Sequence, residues 1–372
     1  MIYLEATANI GMEAVLKREA QALGMKNIRV QDGLVSMEGK TEDISRLNLH
    51  LRTAERVHWV LARFEARSFT ELFDGVYNLP WPDIMPKTAN FITEAKSRKS
   101  QLFSLSDIQR ITEKAVVNKL QTRYKTEWFE KNGARYRIGV RIVDDLATIY
   151  LDTSGDGLHD RGYRKRSVKA PLTETLASGL VQLSFWNKNR MLVDPFCGSG
   201  TILIEAILLG RNIAPGLNRR FDFEYWNLEG ANDKAVRKEA FEMIDYDSKL
   251  ELYGFDVDPK ALEAARINLD SLGFLDDVTL REKDIAQLDL AGDYGVIITN
   301  PPYGVRIEDK ESVMALNREL GKLAKALPTW SHYIITADEG FERGFGKKAD
   351  RKRKLYNGKI KTDYYQYYGP RP

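Results

Sequence analysis

The chain has 372 residues, 43% of them hydrophobic, a formal net charge of +3 and one cysteine. That length supports two or three domains with real cores, and the near-balance of charge confines any basic surface to local patches. One cysteine excludes a disulfide framework, and there is no run of eighteen apolar residues and no basic-then-apolar leader, so a soluble, cytoplasmic protein is expected.

Residues 1 to about 55 alternate strand-like and helix-like patches. Residues 2–6 read as a strand, 12–20 as a helix, the surroundings of 28–30 and 34–37 as short strands, and 44–51 as a second helix. The result is a small α+β unit. It carries no paired carboxylates, metal-spaced histidines or glycine loop.

From 56 to 155 basic and polar residues concentrate. Residues 91–95 read as a strand entering the basic loop Lys96-Ser97-Arg98-Lys99-Ser100-Gln101, and a helix over 106–120 takes Ser106 as its N-cap. Residues 135–143 alternate arginine with apolar side chains, which puts the arginines on one face of a strand. That face, with Lys96, Arg98 and Lys99, suits a phosphate backbone; a solvated strand face beside a basic loop is the alternative.

Residues 152–159 are turn-rich and end the first part, with His159 read as a hinge residue. Then come five basic residues and an aromatic: Arg161, Tyr163, Arg164, Lys165, Arg166 and Lys169. A basic stretch at a domain junction suits RNA held between a docking module and a catalytic site, and a charged linker is the plain alternative. A helix is expected to follow, with Pro171 in its first turn.

The apolar run 191–193 leads into Asp194-Pro195-Phe196-Cys197-Gly198-Ser199-Gly200-Thr201, and a helix-like run follows over 202–209. Strand, glycine-bearing turn and helix start form an arrangement that grips a nucleotide-like cofactor, because glycines admit close approach and free N–H groups attract electron-rich atoms. Leu203 stands where the dinucleotide fingerprint needs its third glycine. The next strand ends at Asp256, whose carboxylate can accept from both ribose hydroxyls; Asp258 is the alternative, or the N-cap of a helix over 259–272. Between them lies an insertion containing Arg219 and Arg220, which either touch RNA or serve the structure. Cys197 reads as a packing residue.

A second apolar run, 296–299, delivers Asn300-Pro301-Pro302-Tyr303-Gly304. An exocyclic base amine is a poor nucleophile because its lone pair is delocalised into the ring. Accepting both N–H bonds at the Asn300 side-chain oxygen and the Pro301 carbonyl favours a pyramidal nitrogen and stabilises the charge that develops on it. Tyr303 can stack on a base extruded from its helix, with Pro302 fixing the loop. At the end, 331–338 reads as a strand, 347–354 is a basic run flanking the substrate face, and 355–361 carries an Asn-Gly hairpin turn.

Several of these stretches resemble known families. Residues 93–120 with the strand pair ending at Asp152 look like a THUMP domain, a module that binds structured RNA, and the preceding fifty or so resemble its ferredoxin-like companion. The segment Gly162-Tyr163-Arg164 to Ala170-Pro171-Leu172-Thr173-Glu174-Thr175-Leu176-Ala177 is similar to the GYR…APLxETLA stretch of large-subunit ribosomal RNA guanine-N2 methyltransferases. The resemblance implies that Thr173 and Glu174 line the donor pocket. The string 194–201 resembles motif I of S-adenosylmethionine-dependent methyltransferases, which implies that Asp194, Pro195, Phe196, Gly198, Ser199, Gly200 and Thr201 surround the donor. It further implies that Asp284, after the strand 278–280, accepts the adenine amino group.

The expected fold is therefore α/β: a Rossmann-like seven-stranded methyltransferase domain (171–372) behind an α+β ferredoxin-like unit (1–55), a THUMP domain (56–155) and a basic linker (156–170). The implied activity is methyl transfer from S-adenosylmethionine to guanine N2 in 23S ribosomal RNA or the assembling large subunit. Arg161, Arg164, Lys165 and Arg166 join Lys96, Arg98 and Lys99 as RNA contacts, and no metal or membrane is involved. Alternatives are guanine-N2 methylation of transfer RNA, adenine-N6 methylation of DNA, and a non-enzymatic RNA-binding role.

Overall fold

The computed structural model describes residues 1–168, 171–231, 233–303 and 310–371. The N-terminal part is one sheet assembled from β1 (Ile2–Ala8), α1 (Glu13–Ala22), β2 (Lys26–Gln31), β3 (Leu34–Gly39), α2 (Glu42–His50), β4 (Ala54–Glu65), α3 (Phe69–Tyr77), α4 (Trp81–Ile84), β5 (Asn90–Arg98), α5 (Leu105–Tyr124), β6 (Arg135–Val143) and β7 (Leu146–Asp152). The strands lie in the order β2-β3-β1-β4-β7-β6-β5. β4 is twelve residues long and pairs with β1 on one side and β7 on the other, so the first α+β unit and the module that follows it share one continuous sheet. The break between them at 55/56 falls within this strand.

Two details differ from expectation. β5 runs on to Arg98, so Lys96 and Arg98 belong to an exposed edge strand, and Lys99 turns the chain at φ +50°. The N-cap of α5 is Ser104, two residues ahead of Ser106, and its hydroxyl bonds Asp107 at 2.6 Å.

β6 places Tyr136, Ile138, Val140 and Ile142 in the core and its arginines on the other face. That face does not present free cations. Arg135 grips Asp222 with two bonds of 2.7 and 2.9 Å, Arg137 pairs with Glu94 at 3.2 Å, and Arg141 takes the buried Glu5 at 2.7 and 2.9 Å. The strand alternates as expected, but internal carboxylates neutralise the charge.

The second half contributes α6 (Glu174–Leu183), β8 (Leu192–Asp194), α7 (Thr201–Gly210), α8 (Asp233–Glu242), β9 (Leu252–Asp256), α9 (Pro259–Asp270), β10 (Val278–Glu282), β11 (Val296–Thr299), α10 (Lys310–Ala326), β12 (Ser331–Thr336), α11 (Phe341–Phe345), β13 (Arg351–Asn357) and β14 (Ile360–Tyr367). Their order is β10-β9-β8-β11-β12-β14-β13, with β14 antiparallel to both its neighbours. Helices cover both faces, so the central strands are buried on both sides and read as continuous apolar runs such as Val296-Ile297-Ile298. α6 starts at Glu174 with Thr173 as N-cap, leaving Pro171 ahead of the helix. In the terminal hairpin Asn357 pairs with Ile360, so the two-residue turn is Gly358-Lys359, with Gly358 at φ +61°, and Asn357 is the last strand residue.

The halves are bolted together. Arg161 is 3% exposed, its guanidinium 2.8 Å from the fully buried Glu205 of α7, and it also donates to the Arg52 carbonyl at 2.7 Å. Arg161 therefore has no face for RNA. Trp226 of the insertion stacks on Tyr136 at 4.7 Å, Arg219 donates to the carbonyls of Asp156, Gly157 and Asp160, and Arg220 pairs with Glu224. Arg219 thus serves the structure, whereas Arg220 is exposed. His159 bonds Glu55 at 3.0 Å across the junction. No described helix is long and apolar enough to cross a membrane.

Candidate active site

The chain runs from β8 outward through β9 to β10, then returns to lay β11 on the opposite side of β8. That reversal marks the carboxyl ends of β8 and β11, the place where ligands bind in such sheets. The glycine turn leaves β8 and Asn300 leaves β11, so the two stretches meet at one edge of the sheet.

The turn is drawn tight by Cys197 N–H donating to the Phe255 carbonyl and Gly200 N–H to the Cys197 carbonyl. Gly198 and Gly200 sit at φ +55° and +80°, the left-handed region that disfavours side chains, and Gly200 serves as N-cap of α7. Of residues 194–201 only Phe196 and Gly198 are not buried; Pro195, Ser199 and Thr201 form the packed underside. Burial pushes the Cys197 thiol well up, in keeping with a packing role.

The four acids differ in position. Asp256 is half-buried; one oxygen accepts Gly198 N–H at 2.9 Å and the other Asp258 N–H at 3.0 Å. Each oxygen keeps a lone pair, enough for two vicinal hydroxyls. Asp258 is exposed and caps α9 through Lys260 N–H at 2.9 Å. Asp284 is exposed after β10, with one oxygen on Ala286 N–H at 2.8 Å. Asp194 faces inward. It is 1% exposed, one oxygen accepts from Thr299 Oγ1 at 2.6 Å and Phe196 N–H at 3.1 Å, and burial raises its carboxyl to about 7. It clasps the two loops through that one oxygen.

On the acceptor side, Asn300 Oδ1 is buried and has no hydrogen-bond partner among the described residues. Pro301 is buried, Pro302 exposed and Tyr303 half-buried. The Tyr303 hydroxyl accepts from Asn357 Nδ2 at 3.4 Å, bringing the terminal hairpin to the site. Gly304 lies outside the described residues.

The basic hinge divides. Arg164 donates to Glu174 Oε1 at 2.8 Å and to the Leu172 carbonyl at 2.7 Å. The two charges pair with each other beside the expected RNA and donor contacts, and Thr173 is the half-buried cap between them. Lys165 and Arg166 are exposed. Their backbone N–H groups both donate to Asn268 Oδ1 (2.8 and 3.0 Å), while Asn268 Nδ2 donates to the carbonyls of Arg166 and Ser199 (2.9 and 3.1 Å). One buried amide thus straps the basic segment to the glycine turn. Val168 follows, 3.5 Å from where a side chain on Gly198 would begin; Lys169 and Ala170 lie outside the described residues. Lys96, Arg98 and Lys99 are exposed on β5 and its turn.

Sequence reasoning missed Asn268, Thr299 and Asn357. The available signals were polar residues where periodicity calls for apolar ones: Asn268 on the buried face of α9, and Thr299 closing an apolar strand.

Three sequence families match the chain: RMKL-like, methyltransferase domain, over residues 161–366; RlmL ferredoxin-like domain, over 4–58; and THUMP domain, over 66–152. The Bacillus subtilis protein named "Putative RNA methyltransferase YpsC" is 44% identical over 98% of this chain and 95% of its own length. The "Ribosomal RNA large subunit methyltransferase K/L" of a Marinomonas species is 31% identical over 98% of this chain, which spans 52% of that protein. Among solved structures, SMU.472 in complex with SAH superposes with a TM-score of 0.94 at 43% identity, covering 100% of this chain and 99% of that one.

Proposed function

The chain belongs to the RMKL-like methyltransferase family, and from that premise we propose that it transfers the methyl group of S-adenosylmethionine to the exocyclic N2 amine of a guanine in 23S ribosomal RNA. The observation that carries this reading is the buried oxygen of Asn300, which has no hydrogen-bond partner among the described residues and follows the strand beside the glycine turn. An unpaired buried acceptor costs about 1–3 kcal/mol. A donor is expected to complete it, and a base amine brings two N–H bonds.

S-adenosylmethionine, when bound, supplies an electrophilic methyl on a sulfonium. The residues fit such a ligand: Gly198, the glycine of the turn that is not buried, leaves its main chain open to close approach, while Gly200 packs against Ala265 of α9, and Asp256 is oriented by two backbone N–H groups with acceptor capacity to spare. Asn300 Oδ1 and the Pro301 carbonyl would take the two amine hydrogens, weaken conjugation with the ring and aim the lone pair. Positive charge on the nitrogen is stabilised by the same oxygens until a proton leaves to water. Tyr303, held by Asn357, offers a face on which an extruded base stacks.

The THUMP match supports RNA over DNA, and the similarity to a large-subunit ribosomal RNA enzyme over 98% of the chain supports ribosomal over transfer RNA. The deciding experiment incubates the full chain with labelled S-adenosylmethionine and, separately, unmodified 23S ribosomal RNA, transfer RNA and DNA, then digests to nucleosides. N2-methylguanosine from 23S ribosomal RNA is expected. Label confined to transfer RNA would move the substrate, and N6-methyladenine in DNA would overturn the reading.

A further inference from the structure

Residues 347–363 hold eight basic and two acidic residues, a net +6 in a chain whose whole formal charge is +3. The rest of the molecule is therefore net negative, and this hairpin is its concentrated positive surface. We propose that β13 and its flanking turns bind the RNA phosphates next to the extruded base. This rests on the RNA reading above and names the surface that would hold the strand.

The geometry supports it in three ways. First, the ladder leads to the site: β13 ends at Asn357, which touches Tyr303, and a seven-residue strand spans roughly 20 Å. Second, the cations outnumber their internal partners. Asp363 takes Lys352 at 3.1 Å and Asp350 lies 3.9 Å from Lys347, while Lys348, Arg351 and Lys359 are exposed with no ion pair or hydrogen bond among the described residues. Third, an aromatic is interleaved: Lys354 stands over the half-buried Tyr356 ring at 5.4 Å. The arginines of β6 contrast on the second count, since carboxylates already take them.

Arg353 stands apart. It donates to the Gly11 carbonyl at 3.0 Å and pins the hairpin to the N-terminal unit, so it is left untouched in the test. A competing account is that lysines on an exposed edge strand merely prevent edge-to-edge association. That role needs only one or two charges and no continuity with the active site.

The test uses the full-length triple variant Lys348→Gln/Arg351→Gln/Lys359→Gln against a 23S ribosomal RNA fragment, with affinity measured over a salt series. A control variant removes three exposed lysines elsewhere: Lys234→Gln/Lys238→Gln/Lys322→Gln. Each lost phosphate contact lowers the log–log salt slope by about 0.7–0.9. The hairpin variant should thus lose about two units of slope, bind RNA at least tenfold more weakly, raise the KM for RNA, and keep kcat and donor affinity within twofold. An unchanged slope with an unchanged melting temperature would overturn the proposal. So would an equal loss in the control, which marks a net-charge effect, or aggregation without a slope change, which marks edge protection. A wild-type protein that binds the fragment but methylates no RNA would refute the proposed function and leave this surface to be judged by its slope.

Discussion

Thr299 Oγ1 donates a 2.6 Å hydrogen bond to Asp194 Oδ1, so the residue that closes the donor strand holds the residue that precedes Asn300. The two chemical loops are thereby registered to each other through a buried side-chain contact between neighbouring parallel strands. Thr299→Val keeps the shape and removes the donor, at a cost of about 1–3 kcal/mol for a buried acceptor left short. Donor affinity should change little while kcat falls, because what is lost is alignment. Equal kcat in the variant would reduce the clasp to a packing detail.

The same carboxyl has a pH signature. Burial raises Asp194 from 3.8 to about 7, with the charge of Asp256 adding to the push and Thr299 and the Phe196 N–H opposing it. A folded pKa above the unfolded value means that its contribution to stability is complete below about pH 4 and lost as pH rises through about 7. Urea unfolding at pH 5 and pH 8 should show the wild type losing stability relative to Asp194→Asn across that interval. Parallel losses in both proteins would assign the dependence to other groups.

Asn300→Ala tests the amine grip. Removing one preorganised group that meets transition-state charge typically costs on the order of 10²–10³ in kcat. Single-turnover rates should fall by that order, with calorimetric donor affinity within twofold. A variant that methylates at the wild-type rate would end the case for Asn300.

How far the residues alone carried this reading depends on range. The turn at 194–201 was legible because an apolar run and a Gly-Ser-Gly turn are local properties of consecutive residues, whereas the seven-stranded sheet was implied only by the resemblance to methyltransferases. What failed was charge bookkeeping across the fold. Arg161, Arg164 and the β6 arginines look available for RNA in the sequence, yet Glu205, Glu174, Asp222 and Glu5, each at least ten residues away, consume them. The partner of Asp194 was hidden in the same way, since Thr299 is 105 residues distant. Long-range pairing leaves no periodic trace, so ligand contact and internal partner look identical until the chain is folded.

Asp256 and Asp258 make a separable pair. Asp256→Ala removes the carboxylate proposed for the ribose hydroxyls, and a charge-assisted bond contributes roughly 1.5–3 kcal/mol, so donor affinity should weaken by one to two orders of magnitude. Asp258→Ala removes the cap of α9 and should cost about 1 kcal/mol of stability with donor affinity retained. Calorimetry and melting on both variants decide the assignment, and a reversed pattern would hand the ribose contact to Asp258.

Asn268 is the remaining lever, because its four hydrogen bonds divide by direction. Its oxygen holds Lys165 and Arg166; its nitrogen holds the Arg166 and Ser199 carbonyls. Asn268→Asp keeps the acceptor half and sets a carboxylate against two carbonyls, whereas Asn268→Ala removes both halves. If the amide couples the basic strap to the donor turn, Asn268→Asp should weaken donor binding more than RNA binding, and Asn268→Ala should weaken both. A purely structural amide would instead lower the melting temperature of both variants and leave donor Kd and RNA KM unmoved. That outcome is the one to look for first, since Asn268 is 1% exposed and some loss of stability is expected in any case.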